Sequence, residues 1–142
     1  MNAFIFTIPG KPQGKGRART VLQNGKSRTY TPEQTAMYEQ IVKWTYKAAG
    51  GPNFGVSPIA ITINAFFGIP KSTSKINRDN MLADVVKPTI RPDADNILKI
   101  ICDSLNGVAY EDDKQIVSSS VIKMYAQHPC VHVEITKAEY SA

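Results

Sequence analysis

Cysteine is nearly missing from this 142-residue chain, which holds only Cys102 and Cys130. Two thiols so far apart supply no disulfide framework, so a reducing, cytosolic setting is the simplest expectation. No apolar run approaches the roughly 20 residues needed to span a bilayer. The opening MNAFIFTIPGK has no basic segment followed by a long apolar one, so no secretory signal is expected. Repeats, low-complexity tracts and interdomain linkers are absent too, and the length suits one domain, residues 1–142, around one core. Acids are missing locally. None precedes Glu33, whereas Lys11, Lys15, Arg17, Arg19, Lys26 and Arg28 all do.

The acids that are present are concentrated. Asp93, Asp95, Asp103, Glu111, Asp112 and Asp113 lie within 21 residues that contain one base, Lys99. The rest of the chain is left with 16 bases against 6 acids. Such a cationic field suits a polyanion, most often nucleic acid. The plain alternative is a solvated, soluble surface.

Periodicity divides the chain into few elements. AFIFTI (Ala3–Ile8) reads as a short buried strand and PGKPQGKGRART as a loop. Asn24-Gly25 predicts a type I′ hairpin turn. Thr31 as N-cap, Pro32 at the first helical position and Gln34 two further on announce a helix. Met37, Ile41, Trp44 and Ala48 are its expected buried stripe, and Gly50-Gly51-Pro52 its stop. PIAITINAFF (Pro58–Phe67) is a strand with Ile59, Ile61, Ile63 and Ala65 on one face. Residues 68–91 read as a long polar loop containing Lys71, Lys75, Arg78 and Lys87. A second helix is expected from about Asp95 to Leu105, with Ile97, Ile101 and Leu105 inward and Leu98 and Ile100 widening the stripe. QIVSSSVIKMYA and CVHVEITKA then form two strands, expected as a hairpin joined near Gln127–Pro129. The sum is an α+β domain with a mixed β-sheet and two main helices.

The stretch RPDADNILK (Arg91–Lys99) sets two aspartates one residue apart. Within a helix, residues i and i+2 project about 200° apart and share no ligand. With Asp95 as N-cap, the pair would lie in extended backbone, where both carboxylates reach one side. Lys99 and Asp103 then follow at one-turn intervals, and a returning strand would bring back Asp112 and Asp113. Carboxylates gathered in one place repel unless neutralised, and an all-oxygen cluster suits a hard cation such as Mg²⁺ or Mn²⁺. On a basic surface, that combination points to phosphodiester hydrolysis, with Lys99 steadying transition-state charge. Taken singly, D-x-D or EDDK is more often a turn or a helix cap.

The stretch RPDADNILKIICDSLNGVAYEDDKQIV (Arg91–Val117) resembles the core of the RusA family of Holliday junction resolvases. The matching features are an aspartate, then Asp-Asn, a lysine four residues past the second aspartate, a helix ending in Leu-Asn-Gly, and Asp-Asp followed by Gln-Ile. The first strand, the basic loop and TYTPEQ are similar to phage and prophage members. The resemblance implies a Mg²⁺-dependent homodimer that nicks four-way junctions in pairs during DNA recombination and repair, with no nucleotide cofactor and no membrane. It implies Asp93, Asp95 and Asp113 as metal ligands, Lys99 as the essential lysine and Asp112 as a neighbouring acid. Lys11, Lys15, Arg17, Arg19, Arg28, Lys75, Arg78 and Arg91 are the candidate DNA contacts. Two departures stand out: Ala94 replaces the usual leucine, and Lys71–Arg91 is longer than in the shortest members.

Other readings compete. Pro92-Asp93 with Asp112-Asp113-Lys114 formally satisfies the PD-(D/E)xK pattern, although helical spacing separates the motifs and leaves Lys99 unexplained. A basic DNA-binding module without catalysis explains the cations but not the acids. A D-x-D glycosyltransferase needs a longer chain. His128, Cys130 and His132 alternate, and a zinc site there would need Cys102 as its fourth ligand; the simpler reading is a solvent-side face opposite a core face of Val131, Val133 and Ile135.

Overall fold

The computed structural model of the chain describes residues 3–16, 19–30 and 32–138. In chain order they form β1 (Phe4–Pro9), β2 (Arg19–Gln23), β3 (Lys26–Tyr30), α1 (Glu33–Ala48), β4 (Ile59–Gly68), α2 (Lys75–Leu82), α3 (Ala94–Ser104), a 3₁₀ turn (Asp113–Gln115), β5 (Ile116–Ala126) and β6 (Cys130–Lys137). The main sheet has the order β1-β6-β4-β5, and β2-β3 form a separate ribbon. Antiparallel β1-β6 and β6-β4 pairs beside a parallel β4-β5 pair make the sheet mixed. The α+β class therefore holds.

Alternation builds the core. Ile59, Ile61, Ile63, Ala65 and Phe67 of β4 are buried, as are Val131, Val133 and Ile135 of β6 and Phe6 and Ile8 of β1. They join Ile97, Ile100, Ile101 and Leu105 at α3 and Val42 and Tyr46 of α1 in one cluster. Each fully buried aliphatic side chain adds roughly 1.5–3 kcal/mol of transfer free energy. In the β2-β3 turn, Asn24 (φ 54°) and Gly25 (φ 75°) both take positive φ, as a type I′ turn demands.

Four expectations change. First, β5 and β6 are not a hairpin: β4 lies between them, and the link from β5 to β6 passes the end of β4, where Pro129 packs beside Gly68. The most apolar strand takes the centre, while exposed Ser118–Ser120 suit β5 to an edge. Second, β1 is an edge strand with one buried face, not a fully buried strand. Third, the long polar loop contains α2, whose N-cap Ser74 accepts a bond from the Asn77 amide at 3.3 Å. With no buried residue, α2 has no apolar stripe to betray it.

Fourth, α1 is rotated relative to the expected stripe. It buries Thr35, Tyr38, Val42 and Tyr46, whereas Met37, Ile41 and Trp44 are 60%, 43% and 75% exposed. Tyr46 sits edge-on to Phe4 and Phe6, with ring centroids 5.1 Å away in both cases, and its hydroxyl donates to the Pro52 carbonyl. The large tyrosine rings win the inward face, although only Tyr46 has its hydroxyl paired; that of Tyr38 is buried without a partner. Pro32 is the N-cap residue and not the first helical one, while Thr31 lies outside the described residues.

Candidate active site

Helix α3 begins two residues earlier than Asp95 as N-cap requires. Asp93 is the N-cap, in extended backbone (φ −67°, ψ 153°), and its side chain makes no capping hydrogen bond. Asp95 is inside the first turn, so the two aspartates do not share one extended segment. From there Asp95, Leu98, Lys99 and Cys102 follow at i, i+3, i+4 and i+7 along one face. With Asp113, Ile116 and Ser119 they line a cavity of about 280 Å³ between α3 and the start of β5. Burial above all, then the nearby Asp113 charge, pushes the Cys102 thiol up to about 12, so it forms a neutral wall.

The return from α3 is tightly tied. Tyr110 is buried and its hydroxyl donates to the Cys102 carbonyl at 2.7 Å, while the Gly107 amide donates to the Tyr110 carbonyl at 2.7 Å. Asp112 caps the 3₁₀ turn. Its carboxylate accepts from the Lys114 amide at 3.1 Å, and its own amide donates to Gln115 Oε1 at 2.9 Å. Gln115 Nε2 in turn donates to the carbonyls of Gly55 (2.8 Å) and Ser57 (2.9 Å). Asp112 thus works as a cap, and the turn it closes delivers Asp113 to the cavity.

Gln115 carries more than its place in the sequence pattern suggested. Gln115→Ala should lower stability by roughly 1–3 kcal/mol, because it removes three bonds and takes that partner from the Ser57 carbonyl and the Asp112 amide, while the Gly55 carbonyl keeps the Glu111 amide. A urea unfolding curve with a lower midpoint and an unchanged slope is the expected result. An unmoved midpoint would deny Gln115 this role.

Partial burial, then the hydrogen bond and like charge of Asp103, then the charge of Asp112, raise the Asp113 carboxyl above its ordinary value. Asp103 is itself 3.3 Å from Lys15 Nζ, which also meets Glu39 at 2.8 Å. Lys15 is raised on balance: desolvation, the largest single effect, lowers it, but the hydrogen bonds and charges of the two carboxylates outweigh that. Asp103 and Glu39 were not among the expected site residues. For Asp103 the signal was present, in its one-turn spacing beyond Lys99 on the same helix.

A second depression, an open groove of about 1570 Å³, runs past the start of α3. Lys11, Lys15, Lys71 and Arg91 line it together with the exposed Asp93. Lys75 and Arg78 lie on α2, outside its lining. Arg17 and the side chains of Arg19 and Arg28 fall outside the described residues. The loop glycines serve packing. The Lys15 amide donates to the Asn96 carbonyl at 3.2 Å and the Gly16 amide to Thr35 Oγ1 at 3.0 Å, so neither is free for phosphate. A Cβ on Gly14 would come within 3.0 Å of both Pro92 and Asn96, and one on Gly16 would strike Thr35.

A family model described as Endodeoxyribonuclease RusA matches residues 9–136. The chain belongs to the RusA family. It is an endodeoxyribonuclease of the Holliday junction resolvase type, a hydrolase that acts on junction DNA. Uncharacterized protein YqaN of Bacillus subtilis (strain 168) is 31% identical over 137 residues, covering 95% of this chain and 96% of that protein. RusA membership displaces the rival readings. The motifs of the PD-(D/E)xK pattern would sit on paired strands, whereas here Asp93 opens a helix and Asp113 opens a 3₁₀ turn.

RusA nucleases depend in general on a divalent metal, and the donors fit one. Among the described residues no three of His, Cys, Asp and Glu form a ready-made cage. A small hard cation does not need one: it takes one or two carboxylates and completes its shell with water and substrate phosphate. Asp95 and Asp113, which line one small cavity, would supply those two carboxylates. Zinc has no such fit, since Cys102 lies in the cavity wall while His132 packs edge-on against Phe66 at 4.9 Å. No helix among the described residues is long and apolar enough to cross a membrane.

Proposed function

We propose that this protein is a Mg²⁺-dependent, structure-specific endonuclease that resolves four-way junctions by paired phosphodiester hydrolysis in DNA recombination and repair. The observation that carries this reading is Asp95 and Asp113 sharing one cavity with Lys99, next to a groove lined by Lys11, Lys71 and Arg91. In this reading Asp95 and Asp113 hold Mg²⁺, or Mn²⁺ in its place, and Asp93 joins them from the groove side when DNA is bound. The metal, when bound, polarises the phosphorus centre and lowers the pKa of a water. Lys99 places an ammonium where charge develops on the phosphate oxygens. Arg91, Lys11 and Lys71 in the groove position the DNA backbone, with Arg17, Arg19 and Arg28 as further contacts. Lys75 and Arg78 on α2 extend the cationic surface. A homodimer matches the two-fold symmetry of the junction and explains paired cuts. The exposed ridge Met37, Ile41 and Trp44 supplies apolar surface for such an assembly. DNA as substrate places the enzyme in the cytoplasm.

A synthetic four-way junction and a linear duplex of the same sequence, each with Mg²⁺ and with chelator, test the proposal. Symmetric nicks on the junction in Mg²⁺ alone are expected. Equal cutting of both substrates, or cutting in chelator, would sink it.

A further inference from the structure

Lys15 was expected on the DNA, but its ammonium is engaged elsewhere. It lies 2.8 Å from Glu39 on α1 and 3.3 Å from Asp103 on α3, and its backbone amide is anchored on Asn96. All three side chains are mostly buried, at 22%, 19% and 24% exposure. One cation between two carboxylates leaves the cluster at net charge −1, which repels phosphate. The Asp103 side chain also stands beside that of Asp113, close enough for its like charge to raise the Asp113 carboxyl. A chain of polar contacts therefore runs from the basic loop, through α3, to the cavity. Gly14 and Gly16 flank Lys15 and let the loop lie close enough to make it.

We propose that Lys15 is a positioning residue that acts through Asp103 on Asp113, and not a phosphate contact. Two carboxylates cannot lie side by side unless one is neutralised from behind. Lys15 does this for Asp103 and holds it in the rotamer that reaches Asp113, with Glu39 fixing the ammonium from the other side. Partners behind a metal ligand typically govern metal affinity by 10–100-fold (about that range). The inference rests on the reading of Asp113 as a metal ligand.

The test uses the full chain in four forms: wild type, Lys15→Met, Asp103→Ala and the double variant. Mn²⁺ binding without DNA, followed by calorimetry, is the first readout. Lys15→Met and Asp103→Ala should each weaken Mn²⁺ by roughly tenfold or more. The double variant should be no weaker than Asp103→Ala, because Lys15 acts through Asp103. Lys15→Arg, which keeps the ion pairs, should restore affinity. The second readout is metal-free junction binding across a salt series, where Lys15→Met should leave the slope unchanged. A slope reduced by about 0.9, with Mn²⁺ affinity intact, would make Lys15 a phosphate contact and overturn the proposal. Additive losses in the double variant would overturn it too. Should Lys15→Met not fold, Asp103→Ala decides alone, since unchanged Mn²⁺ affinity there breaks the chain. A wild type that binds Mn²⁺ with this pattern yet cuts no junction would refute the nuclease reading and leave this inference standing.

Discussion

Asp113→Asn should reduce junction cleavage on the order of 10³-fold while leaving metal-free junction binding intact. A metal-held phosphate transition state draws several kcal/mol from its cation, and about 4 kcal/mol corresponds to that factor. Asp95→Asn should do the same from the opposite wall of the cavity. The contrast is Asp112→Ala, one residue away. Its carboxylate caps the 3₁₀ turn, so its loss should cost about 0.5–2 kcal/mol of stability and much less activity. Single-turnover cleavage of a labelled junction, beside a gel-shift titration in chelator, separates these cases. Wild-type cutting by Asp113→Asn would remove that carboxylate from the site. Asp113 also carries a penalty in the absence of metal. Its folded pKa lies above the ordinary 3.8, so the folded state binds the proton more tightly than the unfolded state does. The stability contributed by this group therefore falls as pH rises from 3.8 through the raised value, and it stays lower at neutral pH. Metal-free Asp113→Asn should accordingly melt above the wild type at pH 7, with the gap closing in acid.

Lys99→Met should slow the cleavage step by roughly 10²–10³-fold. Lys99 is exposed, makes no ion pair among the described residues and lines the cavity with both carboxylates. A cation without a carboxylate partner next to a phosphate site is available for developing charge. The loss should appear in the single-turnover rate, with the Mg²⁺ midpoint close to wild type. Lys99→Arg should restore only part of it, because a broad guanidinium does not replace a compact ammonium. A shifted Mg²⁺ midpoint at an unchanged maximal rate would place Lys99 with the metal ligands instead.

What could be read from the sequence follows from which forces are local. The inward faces of α3, β4 and β6 were legible because strict periodicity and burial agree there. The α1 face was not, since hydrophobicity scales favour Met37, Ile41 and Trp44 while packing favours the tyrosines Tyr38 and Tyr46. Helix α2 escaped because nothing in it is buried. Around the site, the grouping of Asp95, Lys99 and Asp113 follows from helical spacing plus a return loop. The division of labour between Asp112 and Asp113 does not, since adjacent aspartates look alike until a capping bond tells them apart. The engagement of Lys15 was also illegible, because Glu39 and Asp103 reach it from helices distant in the chain.

The placement of β4 between β5 and β6 has a consequence in time. Strands separated by three residues would ordinarily close on each other as a local hairpin within about 1–10 μs. Here that fast pairing is the wrong one, because the native sheet has β4 between them. The chain must keep its last two strands apart, or separate them again, until a strand lying roughly sixty residues earlier, by the register of β4 against β5, slides in. Once β4 is in place, the parallel ladder it forms with β5 anchors the strand that carries Ile116 and Ser119 into the cavity. The cavity wall is thus completed by the slowest kind of strand pairing in the fold.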